Sequence, residues 1–385
     1  MIIPFLRRLS IVKHLPREAS YTKKKTLIGH KDLQTPLHPR SKSHSSFFIA
    51  FSSSNLSAVQ VLVQLCEVDN HIVRANAVKL FHCLTVDGDE STFLEHVGQR
   101  CIETLVRIIK TSSDVEEIAA AMGIISNLPK ETQLTQWLID AGAVETISAC
   151  LTDGNKNAIN NSQVIDNAVA ALHRFTVSTN LEWQKRVAEA GIIPLLVQLL
   201  VSGTAVAKQN AATSLKQFSE SSFSLSRPIK KYGIFQCCLA TPETGCAVHL
   251  GICTVESSFC ILQANALVPL VRMLGEPDLG SCEASLDALL TLIDVERKGG
   301  SKVLGEVNAI LPIIKLLSSP SDRLQEKTLI ALERIFQCDE LKQKYGTSAQ
   351  MPLVDIAQRK SSHMKSLAAK ILAQLNVLGQ QSSFF

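Results

Sequence analysis

Residues 190–218, AGIIPLLVQLLVSGTAVAKQNAATSLKQF, constrain the fold of this chain more than any other stretch. The run reads as two helices joined at Gly203. Ile192, Ile193, Leu195, Leu196, Leu199 and Leu200 are too densely apolar for a helix with a wet face. Pro194 falls in the first turn, where a missing N–H costs little. Gly203 interrupts the pattern as a C-cap glycine does. The second helix carries Ala207, Ala211, Leu215 and Phe218 at steps of three and four, with Lys208, Gln209 and Lys216 between them. That is one apolar stripe on a polar helix. Burying Leu215 and Phe218 is worth about 1.5–3 kcal/mol each. A pair this short cannot cover both of its faces, so it needs neighbours of its own kind.

The neighbours are in the chain. With Pro194 as the register point, the counterparts are Gln60, Glu103, Glu145, Pro269, Pro312 and Pro352, which open QVLVQLC, ETLVRII, ETISACL, PLVRMLG, PIIKLLS and PLVDIAQ. Each segment is followed by a helix rich in small residues, such as RANAVKLFHCL, DNAVAALHRF and KTLIALERIF. The steps between register points are 43, 42, 49, 75, 43 and 40 residues. Two strong helices behind a short one, at a period in the low forties, resemble armadillo or HEAT repeats. The spacing predicts the short first helices at 89–97, 131–140, 182–189, 256–263, 301–307 and 341–345, with Trp137 and Trp183 on them. The expected fold is all-α: an armadillo-repeat right-handed superhelical solenoid of about seven repeats. Stacking would bury a continuous core and leave one long groove. The step of 75 implies a loop insert between repeats four and five, at about 221–257. Long inserts of this kind are uncommon and tend to be functional or disordered.

A narrower resemblance rests on GCAVHLGICTVESSFC (245–260), CEASLDALLTLI (282–293), RLQEKTLIALERIF (323–336), KQKYGTSAQMPLVDIAQR (342–359) and SLAAKILAQLNVLGQQSSFF (366–385). In these residues the chain resembles the armadillo region of plant U-box proteins, the senescence-associated ubiquitin-ligase branch in particular, over residues 55–385. The resemblance implies a region that recognises substrates or partners in ubiquitination. The family's U-box recruits a ubiquitin-charged conjugating enzyme; no stretch of this sequence corresponds to it, so binding of a conjugating enzyme by this chain is not expected.

Charge divides the chain. Residues 1–50 hold ten Lys and Arg against two acids, and the remainder holds 29 basic and 33 acidic residues. A mildly acidic repeat body argues against binding a phosphate backbone, so no nucleic-acid partner is expected. Residues 1–54 have no repeat character and read as a basic, disordered arm, while organellar targeting stays open. Their apolar runs MIIPFL and FFIAF are too short to span a membrane. Eleven cysteines, odd in number and mostly within helical stripes, suit a reducing compartment such as the cytoplasm, with peripheral membrane association left open.

The insert gathers Cys237, Cys238, Cys246, His249, Cys253 and Cys260. Cys246-x2-His249-x3-Cys253, with Cys237 or Cys238 as a fourth ligand, has spacing compatible with tetrahedral zinc. The competing reading, and the one expected, is no metal and no cofactor: cysteines packing a loop, with His249 exposed. No G-x-G-x-x-G, Walker A, G-x-S-x-G or H-E-x-x-H motif is present, and no catalytic residue is expected.

The groove is the expected working part, with protein partners as its ligands. Asn76, Asn167 and Asn210 hold the same place in R-A-N-A-V, I-D-N-A-V and K-Q-N-A-A. An armadillo asparagine of this kind resembles one rung of a ladder that grips an extended peptide, since an amide both donates and accepts. It can equally brace neighbouring helix ends. Ala120, Ala284, Lys327 and Leu367 interrupt the ladder. Lys79, Arg174 and Gln217 are expected to face the groove beside it. The alternative is a nuclear-import-type or other peptide-binding adaptor unrelated to ubiquitin. An import receptor would carry tryptophan where this chain has Ile72, Gln163 and Val206.

Overall fold

A computed structural model describes residues 58–87, 90–152, 162–229 and 245–375. The expected arm at 1–54 lies outside them. The helices are α1 (Ala58–Cys66), α2 (His71–Asp87), α3 (Glu90–His96), α4 (Gln99–Thr111) and α5 (Val115–Asn127). There follow α6 (Thr132–Asp140), α7 (Ala143–Thr152), α8 (Ser162–Leu172), α9 (Leu181–Glu189), α10 (Ile192–Ser202) and α11 (Ala205–Leu225). Beyond the insert come α12 (Val255–Ser258), α13 (Leu267–Met273), α14 (Leu279–Val295), α15 (Arg297–Glu306), α16 (Ile310–Lys315) with the 3-10 turn Leu316–Ser318, α17 (Asp322–Ile335), α18 (Asp339–Arg359) and α19 (Ser362–Gln374). Among the described residues there is no strand, only an isolated antiparallel bridge between Arg227 and Ile252. From α3 onward the helices recur as short, middle and third, and the third helices are α2, α5, α8, α11, α14, α17 and α19.

Local chemistry sets this recurrence. Five third helices start on a side-chain cap: Asn70 accepts from the N–H groups of Ile72 and Val73, Asp114 from Glu116 and Glu117, Thr204 from Ala207, Asp278 from Ser281, and Ser321 from Leu324. Each cap satisfies donors that a first turn leaves open, at about 1 kcal/mol. Four of the corners from first to second helix turn on a left-handed residue. Gly142 and Gly191 supply it at φ 78° and 72°, and Asn265 and Asn308 supply it at 57°. Glycine takes this conformation freely and asparagine tolerates it better than other side chains. Apolar faces then close on one another, and Phe81, Phe175, Phe218 and Phe336 are all fully buried.

Three elements depart from the sequence expectation. α11 continues to Leu225, so the insert begins after residue 221 and the third helix of repeat four is long. It lies directly on α14, where Ser219 Oγ meets Thr291 Oγ1 at 2.6 Å and Ser281 Oγ donates to Ala205 O. The insert therefore leaves the stack unbroken at this joint. The first helix expected at 256–263 shrinks to the single turn of α12, because Phe259 turns left-handed at φ 54° and ends it. Finally, the short helix expected at 341–345 and the segment opened by Pro352 are one continuous helix, α18. Gly346 stands at that corner without a positive φ; a Cβ there would lie 2.9 Å from Leu375 Cδ2, so its bareness admits the end of α19.

Candidate partner-binding face

The common caps give the third helices one register. Asn76, Ala120, Asn210, Ala284 and Lys327 each lie six residues beyond the caps Asn70, Asp114, Thr204, Asp278 and Ser321. Asn76 and Asn210 are half-buried, and their amides make no hydrogen bond among the described residues. One turn before them, Ile72 and Val206 are 60% and 52% exposed. Asn167 behaves differently: its Nδ2 donates to Ala119 O at 2.8 Å, bracing α8 against α5.

The residues expected beside the ladder are mostly spent within the protein. Lys79 Nζ reaches Glu116 at 2.7 Å and Asp114 at 3.2 Å, at the start of the next third helix. Burial opposes its charge, but these hydrogen bonds outweigh burial and hold its pKa above the ordinary lysine value. Arg174 does not face the groove. It is 3% exposed, and its guanidinium donates to Ile125 O, Leu128 O and Pro129 O at 2.7–2.9 Å, capping the C-terminus of α5. Burial draws its pKa down to about 10, so it stays charged at neutral pH. Gln217 is held by Thr176, whose hydroxyl donates to Oε1 at 2.5 Å, and its Nε2 lies 3.0 Å from His173 Nε2.

Arg174 and Gln217 share a position, seven residues past the asparagine. Three more of its occupants reach back to the preceding third helix: Asn127 Nδ2 donates to Thr85 Oγ1, Thr291 meets Ser219, and Arg334 pairs with Asp294. This position is a strap between repeats. Sequence reading missed it because its occupants share only polarity.

Further along, α11, α14 and α17 enclose a hollow of about 400 Å³ over Leu290, Thr291, Val295 and Ile330. Its rim is charged but internally paired: Lys216 with Glu220, Lys327 with Asp287, and Arg334 with Asp294. A larger hollow of about 680 Å³ lies on the first-helix side, between Gln136, Glu145, Asn180, Trp183 and Arg186. No sequence signal pointed to it except Trp183. The third-helix face thus has unpaired amides and exposed aliphatic side chains on α2 and α11, and self-neutralised charge around the hollow between α11, α14 and α17.

The second candidate set, Cys237, Cys246, His249 and Cys253, is only partly described, because Cys237 lies outside the described residues. Cys246, His249 and Cys253 do come together, and the structure adds Cys260. His249 is 3% exposed, against the expectation of an exposed imidazole. Its Nδ1 lies 3.4, 3.3 and 3.6 Å from the sulfurs of Cys246, Cys253 and Cys260. The neighbouring Cys260, with His249, favours the thiolate at Cys246 and lowers its pKa; the same contact raises that of Cys260.

No family model matches this chain. Curated proteins similar to it include U-box domain-containing protein 44 of Arabidopsis thaliana, 26% identical over 88% of this chain and 45% of the relative. U-box domain-containing protein 24 of Oryza sativa subsp. japonica is 29% identical over 73% and 37%, and U-box domain-containing protein 43 of Arabidopsis thaliana is 28% identical over 86% and 44%. The chain spans less than half the length of these relatives. Among solved structures, a designed armadillo repeat protein matches with a TM-score of 0.53 at 22% identity, covering 72% of this chain and 99% of that one. Another, in complex with the peptide (KR)4, matches at 0.52 and 21%, covering 72% and 100%. The fold is that of an armadillo-repeat solenoid, and the sequence is similar to part of plant U-box domain-containing proteins.

Proposed function

We propose that this armadillo-repeat scaffold, similar to part of plant U-box domain-containing proteins, recognises protein partners along its third-helix face in the ubiquitination pathway. The observation that carries the reading is the pair of half-buried, unpartnered amides at Asn76 and Asn210, in one register and each one turn beyond an exposed aliphatic side chain. An amide left without a protein partner at a groove wall can both donate to and accept from the backbone of an extended peptide. Ile72 and Val206 would cover the peptide's apolar side chains. The paired rim of the hollow between α11, α14 and α17 offers an incoming charge little, because Lys216, Lys327 and Arg334 each already have a carboxylate.

Panning a displayed random-peptide library against the full chain, followed by affinity measurements on enriched peptides, tests this. An Asn76→Ala/Asn210→Ala variant should weaken binding about tenfold, since each hydrogen bond contributes about 0.5–1.5 kcal/mol and about 1.4 kcal/mol is a factor of ten. Enriched peptides that bind the double variant as tightly as the parent would refute the groove reading. The peptide (KR)4 belongs in the same series. If it binds more tightly than any enriched peptide, a basic-cargo adaptor replaces the ubiquitin-linked scaffold.

A further inference from the structure

We propose that Cys246, His249, Cys253 and Cys260 form a structural zinc site. The inference is independent of whether the third-helix face holds a peptide. Tetrahedral zinc places sulfur at about 2.3 Å and nitrogen at about 2.0–2.1 Å, so a ligating sulfur and nitrogen stand about 3.6 Å apart. The three sulfurs here stand 3.3–3.6 Å from His249 Nδ1. All four donor atoms lie within 4.8 Å of one another. Four ligand side chains close a tetrahedron and leave no open position, which is the arrangement of a structural site. Three soft thiolates with one imidazole also select against calcium and magnesium, which take oxygen ligands.

The imidazole supplies an independent observation. His249 is buried, its Nδ1 faces only sulfur, and its Nε2 has no hydrogen-bond partner among the described residues. As an ordinary core residue it would be poorly satisfied, since weak thiol contacts are all it has. A metal bond at Nδ1 accounts for its place and fixes the proton on Nε2.

The backbone is bent to the same end. Cys246 N–H donates to Gly251 O at 2.7 Å and Leu250 N–H to Cys246 O at 2.9 Å, closing a loop that returns His249 onto Cys246. Leu250 and Phe259 are both left-handed, at φ 56° and 54°, an unfavourable conformation for bulky residues. Gly251 is needed here, because a Cβ would lie 2.6 Å from Arg227 O across the bridge.

The location explains what the site does. The segment occupies the place of a first helix, of which only the single turn α12 remains. Phe259 meets Phe218 of α11 at 5.2 Å, and Ala247 O lies so close to α15 that a Cβ on Gly299 would be 2.4 Å from it. A metal node at this point ties the end of repeat four to the first helix of repeat six, where the usual helical wall is missing. Binding displaces the thiol protons and so is favoured by rising pH.

The full chain, expressed with zinc supplied and purified under reducing conditions, should carry one zinc per chain by elemental mass spectrometry. Cys253→Ser and Cys260→Ser should lower the zinc content at least tenfold, while Cys282→Ser, a buried cysteine outside the cluster, should retain it. Because a core variant can fail to fold, the parent chain is also exchanged into cobalt(II), where three thiolates should give strong charge-transfer and visible bands of tetrahedral cobalt. A chain that takes up no zinc, a weak six-coordinate cobalt spectrum, a different metal lost with the same variants, or a disulfide within the four residues under these conditions would overturn the assignment.

Discussion

At the residue scale, polar side chains on the third helices divide by where their partners lie, and type alone does not announce the division. Arg174 was expected beside a ligand and instead closes the carbonyl end of α5. The sequence showed its place on the helix but not its direction, since a long side chain at a helix end can turn to either neighbour. Asn167 and Asn210 carry the same residue in the same register, yet only Asn167 finds a carbonyl. His173 gives a testable consequence of such bracing. It sits between Lys130 and Gln217, and burial, then Lys130 and Lys216, push its pKa from 6.5 down to about 4. The folded state thus keeps it neutral where the unfolded chain would take up a proton. Stability from this group is complete above about pH 6.5 and falls as the pH drops through that value toward about 4. His82, also lowered by burial, acts in the same direction. Urea midpoints at pH 7.5 and pH 5 should therefore differ less in His173→Gln than in the parent. Equal slopes in the two proteins would show that the imidazole titrates as if exposed.

At the element scale, the joint between α2 and α5 is the most exacting. Glu117 is 2% exposed and accepts from Arg74 Nε at 2.8 Å and from Ser112 Oγ at 2.5 Å. Its hydrogen bond to Arg74 raises that guanidinium's pKa. Breaking a buried pair from one side leaves an uncompensated charge, a loss of about 3–5 kcal/mol. Arg74 is partly open to water, so Arg74→Ala should fall near about 3 kcal/mol, the lower end of that range. Glu117→Gln, which removes the buried charge, should cost less. If urea unfolding ranks the two variants in the opposite order, the joint is held by packing rather than by the pair. The helices themselves were readable because apolar spacing and first-turn prolines act locally. Glu117 was not, since Glu116/Glu117 looks like a solvated flank until α2 packs across it. The short α12 and the continuous α18 escaped for a related reason. Phe259 turns left-handed and Gly346 stays helical according to what packs on them. Cys260 likewise joins His249 only because a left-handed turn folds the chain back, which ligand spacing alone does not encode.

At the scale of the repeat unit, the charged contacts on the third helices, apart from Lys216 with Glu220 inside α11, run between neighbours. Lys79 reaches Glu116, Arg334 reaches Asp294, Lys327 reaches Asp287 and Lys370 reaches Glu333, each about one repeat away in sequence. Exposed pairs of this kind contribute only about 0–1 kcal/mol each. Their pattern matters more than their sum, because nothing in it couples one end of the stack to the other. The straps at Asn127, Arg174, Gln217, Thr291 and Arg334 obey the same rule, each touching only the preceding third helix or its end. A solenoid assembled this way behaves as a line of nearest-neighbour terms, so a local lesion should stay local. Arg74→Ala provides the lesion, and hydrogen exchange read by mass spectrometry provides the map. Exchange should quicken in α1, α2 and α5, fade by α8 and α11, and be unchanged from α14 to α19. The joint of α11 with α14 is where propagation is most readily tested, since there the two third helices meet directly although the insert separates them in sequence. If exchange in α17 and α19 rises as much as in α2, the repeats unfold as one cooperative body and the nearest-neighbour account fails.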